Sequence, residues 1–406
     1  MHIGGRLLNA LNAAPVIHDG NRLRLLFNGN EYFPALLTAI SAAQQTIRLE
    51  TYLYADDNIG NATTRALCEA AQRGVDVRLV VDGFGARNID LHHLPRLLKA
   101  GVKVRVFRPE QHLWRHLLSR KRTRLRRMHR KMVLIDGQTA FLGGINIIDD
   151  ATGNNGNTRL DFALEITGPI LTQIGYAMDR QWTTLSRGPF YRRTLFQQAK
   201  RPSATPIHAA PAGDICCALL LRDNLAYRRS IEQAYIAAIQ SARERIVLAM
   251  AYFIPSRRIL NTLLEAAQRG VHIDLMLQGQ VEYRLQHYAS QSLYHRLLGA
   301  GIRIHEYQPS LMHAKVGVID GQWGTLGSAN LDPFSLLVAR EANLIIHDSA
   351  FCQALERTLT DNITQHCREI TASGWARKSG LHRALRIVSA RILFRLLSLT
   401  RYADNY

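Results

Sequence analysis

The feature that most constrains the fold of this chain is that it contains the same unit twice. Residues 70–75 read AAQRGV, and residues 266–271 read AAQRGV again. A strand-like apolar run precedes each copy, IRLETYLY at 47–54 and IVLAMAYF at 246–253. Another follows each, VDVRLVVDG at 75–83 and VHIDLMLQG at 271–279. Farther on, AGVKVRVF at 100–107 answers AGIRIHEY at 300–307, and MHRKMVLIDG at 128–137 answers MHAKVGVIDG at 312–321. One shared hexapeptide is within chance, but four segments in one order are a duplication.

Within each unit, Val- and Ile-rich runs alternate with helix-like stretches, TRALCEAAQRG and LNTLLEAAQRG, that close on Gly as helix C-termini often do. That alternation predicts an α/β protein: two tandem α/β domains, each a mixed β-sheet flanked by helices. At 406 residues the chain is long enough for both to bury a core. The stretch KRPSATPIHAAPAGD at 200–214, with three prolines and many small residues, reads as the connection. The expected division is a first domain over 1–195, a linker over 196–214, a second domain over 215–372 and a C-terminal tail over 373–406.

The repeats differ in one place. Pro109 and Pro309 align, yet 19 residues separate Pro109 from His129 where three separate Pro309 from His313. The extra segment, EQHLWRHLLSRKRTRLRRM, carries seven Lys or Arg against one Glu. With Leu113, Trp114, Leu117 and Leu118 leading in, it suits a membrane- or phosphate-facing element better than a plain solvated loop. Charge over the whole chain points the same way, since Lys plus Arg exceed Asp plus Glu by 51 − 32 = 19. Such an excess attracts polyanions, either nucleic acid or an anionic membrane. The five cysteines are odd in number and irregularly spaced, which predicts neither a disulfide framework nor a zinc site. MHIGGRLLNALNAAPVI lacks the basic start and long apolar core of a secretory leader. No run of about 18 apolar residues suggests a membrane span.

The chemistry-bearing pattern recurs with the repeat. Each copy reads His-x-Lys, then Asp after four residues, then a small-residue turn ending in Asn. The first copy is His129, Lys131, Asp136, Gly143, Gly144 and Asn146; the second is His313, Lys315, Asp320, Gly327, Ser328 and Asn330. On a strand, residues two apart share a face, so each imidazole projects beside an ammonium. The small residues let backbone approach a ligand, to which the Asn amide donates. Asp136 and Asp320 stand at an odd offset from their histidines, in Asp-Gly turn signals, so a structural role is expected despite their place in the pattern.

Both copies resemble the HxKx4Dx6GSxN signature of the phospholipase D superfamily, departing from it only at Gly144, where the family often has Ser. The resemblance implies a pseudo-two-fold pair of domains with both motifs in one cleft. It further implies that His129 attacks phosphorus to form a phosphohistidine and that His313 serves as acid and then base. Lys131, Lys315, Asn146 and Asn330 would stabilise charge on the phosphoryl oxygens. Neither a metal nor another cofactor is implied. A downstream carboxylate orients the imidazole in this family. Glu341 in REANLIIHD, with Asn343 after it, fits that place in the second half, and Asp161 in RLDFALEI, followed by Ala163 where Asn would stand, in the first.

Over its whole length the chain is similar to bacterial cardiolipin synthases, most of all the B type. The cues are LETYLYADDNIG at 49–60, the basic insert, FLGGINI and LGSANLDPFSLLVAREANL at 326–344. This implies transfer of a phosphatidyl group between phosphatidylglycerol molecules with release of glycerol. A phosphodiesterase or nuclease on the same scaffold is the alternative. A non-catalytic nucleic-acid binder fits less well, because both motifs are intact and no nucleic-acid-binding signature appears. The expected partners are thus phospholipid substrates and an anionic membrane, met peripherally at the cytoplasmic face of a bacterial plasma membrane. The tail agrees, with seven Lys or Arg and no acid from Trp375 to Arg401. Leu381, Leu385, Val388, Ile392, Leu396 and Leu399 fall in one stripe at about 100° per residue, which suits a basic interfacial helix.

Overall fold

Among the described residues, fifteen strands form one continuous sheet, ordered almost as a palindrome, that frames the molecule. The computed structural model describes residues 15–109, 126–149, 158–187, 209–224, 227–376 and 388–389. Most of the basic insert, residues 196–208 of the expected linker, and nearly all of the tail beyond 376 lie outside the described residues. The first half holds β1 (His18–Phe27), α1 (Asn28–Ala42), β2 (Thr46–Thr51), α2 (Asn58–Gln72), β3 (Asp76–Asp82), α3 (Ile89–Lys99) and β4 (Lys103–Phe107). It continues through β5 (Met132–Ile135), β6 (Thr139–Gly143), β7 (Phe162–Thr167) and α4 (Leu171–Arg187). The second half repeats this with β8 (Ile215–Arg222), α5 (Ser230–Ser241), β9 (Arg245–Met250), α6 (Arg257–Gln268) and β10 (His272–Gln278). After α7 (Arg284–Gln291) and α8 (Tyr294–Gly299) come β11 (Arg303–Tyr307), β12 (Lys315–Ile319), β13 (Trp323–Gly327), β14 (Glu341–His347), α9 (Ser349–His366), β15 (Cys367–Glu369) and α10 (Ala372–Ala376).

From the seam outwards the first half runs β1-β7-β6-β5-β2-β3-β4 and the second β8-β14-β13-β12-β9-β10-β11, with β15 added at the edge. In each half the helix-connected strands pair in parallel, β2 with β3 and β3 with β4, β9 with β10 and β10 with β11, while the hairpin-connected ones pair antiparallel. The sequence predicts a separate sheet for each domain. Instead β1 and β8 pair antiparallel across the seam, His18 opposite Cys217 and Asn21 opposite Ile215, with an irregular step between. Two edge strands with unpaired backbone groups have met and satisfied each other.

The halves also share a core. Met132, Leu134, Leu142, Phe162 and Leu164 of the first pack in one cluster with Val247, Val316, Val318, Leu326 and Leu344 of the second. The alternate residues of β5, Val133 and Ile135, face a separate core beneath α1 and α2. Buried on both faces, β5 therefore reads as the unbroken apolar run MVLI.

The repeated AAQRGV has a mechanical reason. In the first half Arg73 reaches back to the end of α1 and donates to the carbonyls of Ile40 at 3.2 Å and Ser41 at 2.9 Å. Arg269 does the same at the end of α5, to Ile239 at 3.0 Å and Gln240 at 3.2 Å. Carbonyls that end a helix without a partner are thereby satisfied. Gly74 and Gly270 follow at φ +93° and +91°, the left-handed geometry that ends α2 and α6.

Candidate active site

Each histidine segment is placed from two directions before its side chain is considered. Met128 N–H donates to Asp82 Oδ2 at the end of β3 at 2.8 Å, and Met312 N–H donates to Gln278 Oε1 at the end of β10 at 2.6 Å. The next residues then bridge to the other half: His129 N–H donates to Arg340 O at 2.9 Å, and His313 N–H to Leu160 O at 2.7 Å. Arg340 and Leu160 immediately precede Glu341 and Asp161. Backbone pairing across the seam thus sets each carboxylate opposite the histidine of the other half.

The side chains complete that crossing. His129 Nδ1 lies 3.0 and 3.1 Å from the two oxygens of Glu341, and His313 Nδ1 lies 2.6 Å from Asp161 Oδ2. Both carboxylates are buried, Glu341 completely. A carboxylate at Nδ1 selects the tautomer with its proton there, leaving Nε2 as a lone pair. The sequence marks Asp161 and Glu341 but not the crossing, because nothing local in the chain records which imidazole lies near which carboxylate.

Between the pairs stand two buried ammonium groups. Lys131 Nζ donates to His129 O at 2.7 Å, and Lys315 Nζ donates to His313 O. Burial pulls the pKa of Lys131 down to about 7, against the attraction of Glu341, and that of Lys315 to about 8, against Asp161. Burial likewise lowers both imidazoles. For His129 the Glu341 carboxylate opposes the shift; for His313 the neighbouring Lys315 and Arg159 add to it. Burial raises Asp161 to about 6. Glu341 feels the same burial, yet His129, Lys131 and the Ser328 hydroxyl outweigh it and hold the carboxyl below its ordinary range. A phosphodiester anion held between the two lysines would favour their charged forms against burial.

The small-residue turns are asymmetric. Ser328 Oγ donates to Glu341 Oε2 at 2.5 Å, and a Cβ built at Gly144 would stand 2.2 Å from Asp161 Oδ1. Asn146 Oδ1 accepts from Leu53 N–H at 3.1 Å, which turns its amide hydrogens away from that strand. The buried side-chain oxygen of Asn330 has no hydrogen-bond partner among the described residues. Asn343 is taken up structurally, accepting from Ala329 N–H at 3.1 Å. Asp136 and Asp320 lie at the far ends of β5 and β12, seven residues from their histidines and on the order of 20 Å along an extended chain. Asp136 accepts from the N–H groups of Gln44, Gln45 and Thr46 at 2.7–2.8 Å. Asp320 accepts from Arg243, Glu244 and Arg245 at 2.8–2.9 Å. Neither bonds a histidine.

One contributor escaped the sequence. Tyr52 sets its ring edge against the imidazole of His129, centroids 4.8 Å apart, with Lys131 Nζ 5.5 Å from the same ring. Its counterpart in the second repeat is Ala251, so the repeat offers no signal for it. Among the described residues no three His, Cys, Asp or Glu side chains converge as metal ligands.

The chain is similar to known proteins over most of its length. A family profile described as "Cardiolipin synthase, PLD-like domain" matches residues 36–180 and 235–362, one stretch in each half. Cardiolipin synthase B of Shigella flexneri is 34% identical over 362 residues, covering 87% of this chain and 83% of its own. Cardiolipin synthase A of Pseudomonas entomophila is 30% identical, covering 90% and 73%. Among solved structures, the phosphatidylserine synthase of Haemophilus influenzae superposes with a TM-score of 0.72 at 13% identity, covering 98% of this chain and 100% of that one, a likeness of fold.

Proposed function

Because the chain belongs to the cardiolipin synthase family of phospholipase D-like proteins, we propose that it transfers a phosphatidyl group from one phosphatidylglycerol to another, releasing glycerol. The observation that carries this reading is the crossed arrangement of two histidines, each with its own carboxylate, around two buried lysines. His129 Nε2 attacks phosphorus, and the bond from phosphorus to the departing glycerol oxygen breaks. His313, carrying a proton on Nε2 that Asp161 and the substrate's anionic phosphate favour against burial, gives it to that oxygen. Lys131, Lys315 and the amides of Asn146 and Asn330 hold the non-bridging oxygens through both steps. A hydroxyl of the second phosphatidylglycerol then loses its proton to His313 as its oxygen attacks phosphorus, and the bond to His129 breaks. Protons balance over the cycle.

His129 is assigned as nucleophile because its carboxylate is the better-held ion, anchored by the Ser328 hydroxyl and kept charged to balance an imidazole bonded to phosphorus. Asp136 and Asp320 are assigned to the frame, and Asn343 to bracing the turn. A surplus of 19 positive charges supports peripheral attachment to an anionic membrane, in keeping with a bacterial plasma membrane's cytoplasmic face. No helix among the described residues is long and apolar enough to cross a membrane. Purified protein incubated with phosphatidylglycerol vesicles tests the reaction. Glycerol and a four-chain lipid are expected; phosphatidic acid alone makes the protein a hydrolase, and DNA cleavage without lipid products removes the lipid reading.

A further inference from the structure

β3 and β10 are equivalent strands of the two halves, and their last residues, Asp82 and Gln278, hold the backbone just before His129 and His313. The loops leaving them therefore flank one opening from opposite sides. In the first, Phe84 is 45% exposed; in the second, Val281 is 50% and Tyr283 57% exposed. Both loops reach the site: a Cβ at Gly85 of the first would stand 3.1 Å from the ring of Tyr52, which packs against His129, and Glu282 of the second pairs at 3.5 Å with Arg159 of the first half, two residues before Asp161. Single exposed apolar residues are ordinary on a protein surface. Here three of them border one cleft, and cations accompany them. The Arg127 and Arg87 guanidinium carbons lie 4.8 and 5.9 Å from the Phe84 ring centre. Aromatic rings beside guanidinium groups suit the boundary between acyl chains and phosphates, where the ring body enters and the cation stays with the headgroups.

The geometry points to this rim as the surface that seats in the headgroup layer of an anionic phospholipid bilayer. Phe84, Val281 and Tyr283 enter the interface, while Arg87 and Arg127 meet lipid phosphates. Seated so, the cleft opens directly onto the membrane plane, and a headgroup reaches the histidines without its lipid leaving the bilayer. This orientation rests on the phospholipid reading above, but it is tested separately. Full-length wild type and the Phe84→Ser/Val281→Ser variant are sedimented with phosphatidylcholine vesicles made with and without phosphatidylglycerol. Turnover is measured on vesicles and on short-chain phosphatidylglycerol dispersed as monomers. The variant is expected to bind phosphatidylglycerol vesicles about tenfold more weakly, from the loss of two buried apolar side chains. Its vesicle turnover falls alongside, and its turnover of the dispersed lipid stays at the wild-type level. Undiminished vesicle binding overturns the proposal. So does an equal loss on dispersed lipid, which assigns these side chains to the chemistry, or a wild-type dimer that the variant dissociates, which makes the rim an interface between copies. A wild type that docks through this rim yet forms no cardiolipin from either substrate leaves the surface standing and removes the transferase reading.

Discussion

Asp161 and Glu341 differ by one methylene, and their neighbours differ to match. The longer Glu341 leaves room for Ser328, whose hydroxyl anchors it; the shorter Asp161 is drawn so close to the main chain that only Gly144 fits. Gly144→Ser alone is therefore expected to push Asp161 off His313 and reduce kcat about 100-fold, the scale of a misplacement near 1 Å. Asp161→Glu alone is expected to do the same by overfilling the site. Combined, they recreate the Ser328–Glu341 arrangement, and kcat should return to within about tenfold of wild type; a double variant no better than the worse single one refutes the matching. The lysines yield a pH prediction. With Lys131 at about 7 and Lys315 at about 8, raising the pH removes the protons that bind phosphate. A soluble phosphodiester of constant charge, glycerophosphoglycerol, should thus inhibit about tenfold or more less strongly at pH 9 than at pH 7. Lys131→Arg, which keeps its charge at either pH, should flatten part of that change. A wild-type inhibition constant independent of pH would falsify the assignment of the lysines as phosphate donors.

Among the elements, the corner between α1 and β2, repeated between α5 and β9, shows how a signature aspartate can be mechanical. Asp136 gathers three N–H groups after α1 while Arg73 gathers the carbonyls that end it. Loss of three charge-assisted bonds gives an expected cost of about 3 kcal/mol for Asp136→Ala, visible as a lowered midpoint in urea, with kcat per folded molecule largely retained. Asp161→Asn should behave oppositely. The unfolding midpoint stays close to wild type, while kcat falls about 10³-fold because the amide no longer enforces the Nδ1–H tautomer. If both variants lose activity without losing stability, Asp136 belongs to the chemistry after all. The strand offset already separates these two kinds of carboxylate in the sequence, since an odd step from His129 leads to a turn and away from its face. The clamp made by Arg73 was not legible there, although AAQRGV was the plainest repeat, because a repeated string records that a residue is kept and not what it touches.

For the whole molecule, neither half is complete. Each histidine depends on a carboxylate, and on a backbone carbonyl, that belongs to the other half, and both halves bury side chains in one cluster. Residues 1–214 or 215–406 produced alone should therefore be inactive and prone to association through the uncovered face, and activity should appear only when the two are produced together. Activity in either fragment alone contradicts a shared cleft. The amino-acid sequence by itself determined the duplication, the α/β alternation and the recurrence of the His-x-Lys pairs, which follow from local periodicity and from a pattern that appears twice; resemblance to the phospholipase D superfamily pointed to Asp161 and Glu341. Only the tertiary structure decided that β1 and β8 fuse the halves into one sheet, that the carboxylates cross between halves, that Tyr52 packs against His129, and that Gly144 makes room for Asp161. Each of those depends on contacts between residues remote in the chain, set by which edges and faces remained to be buried after the local elements had formed.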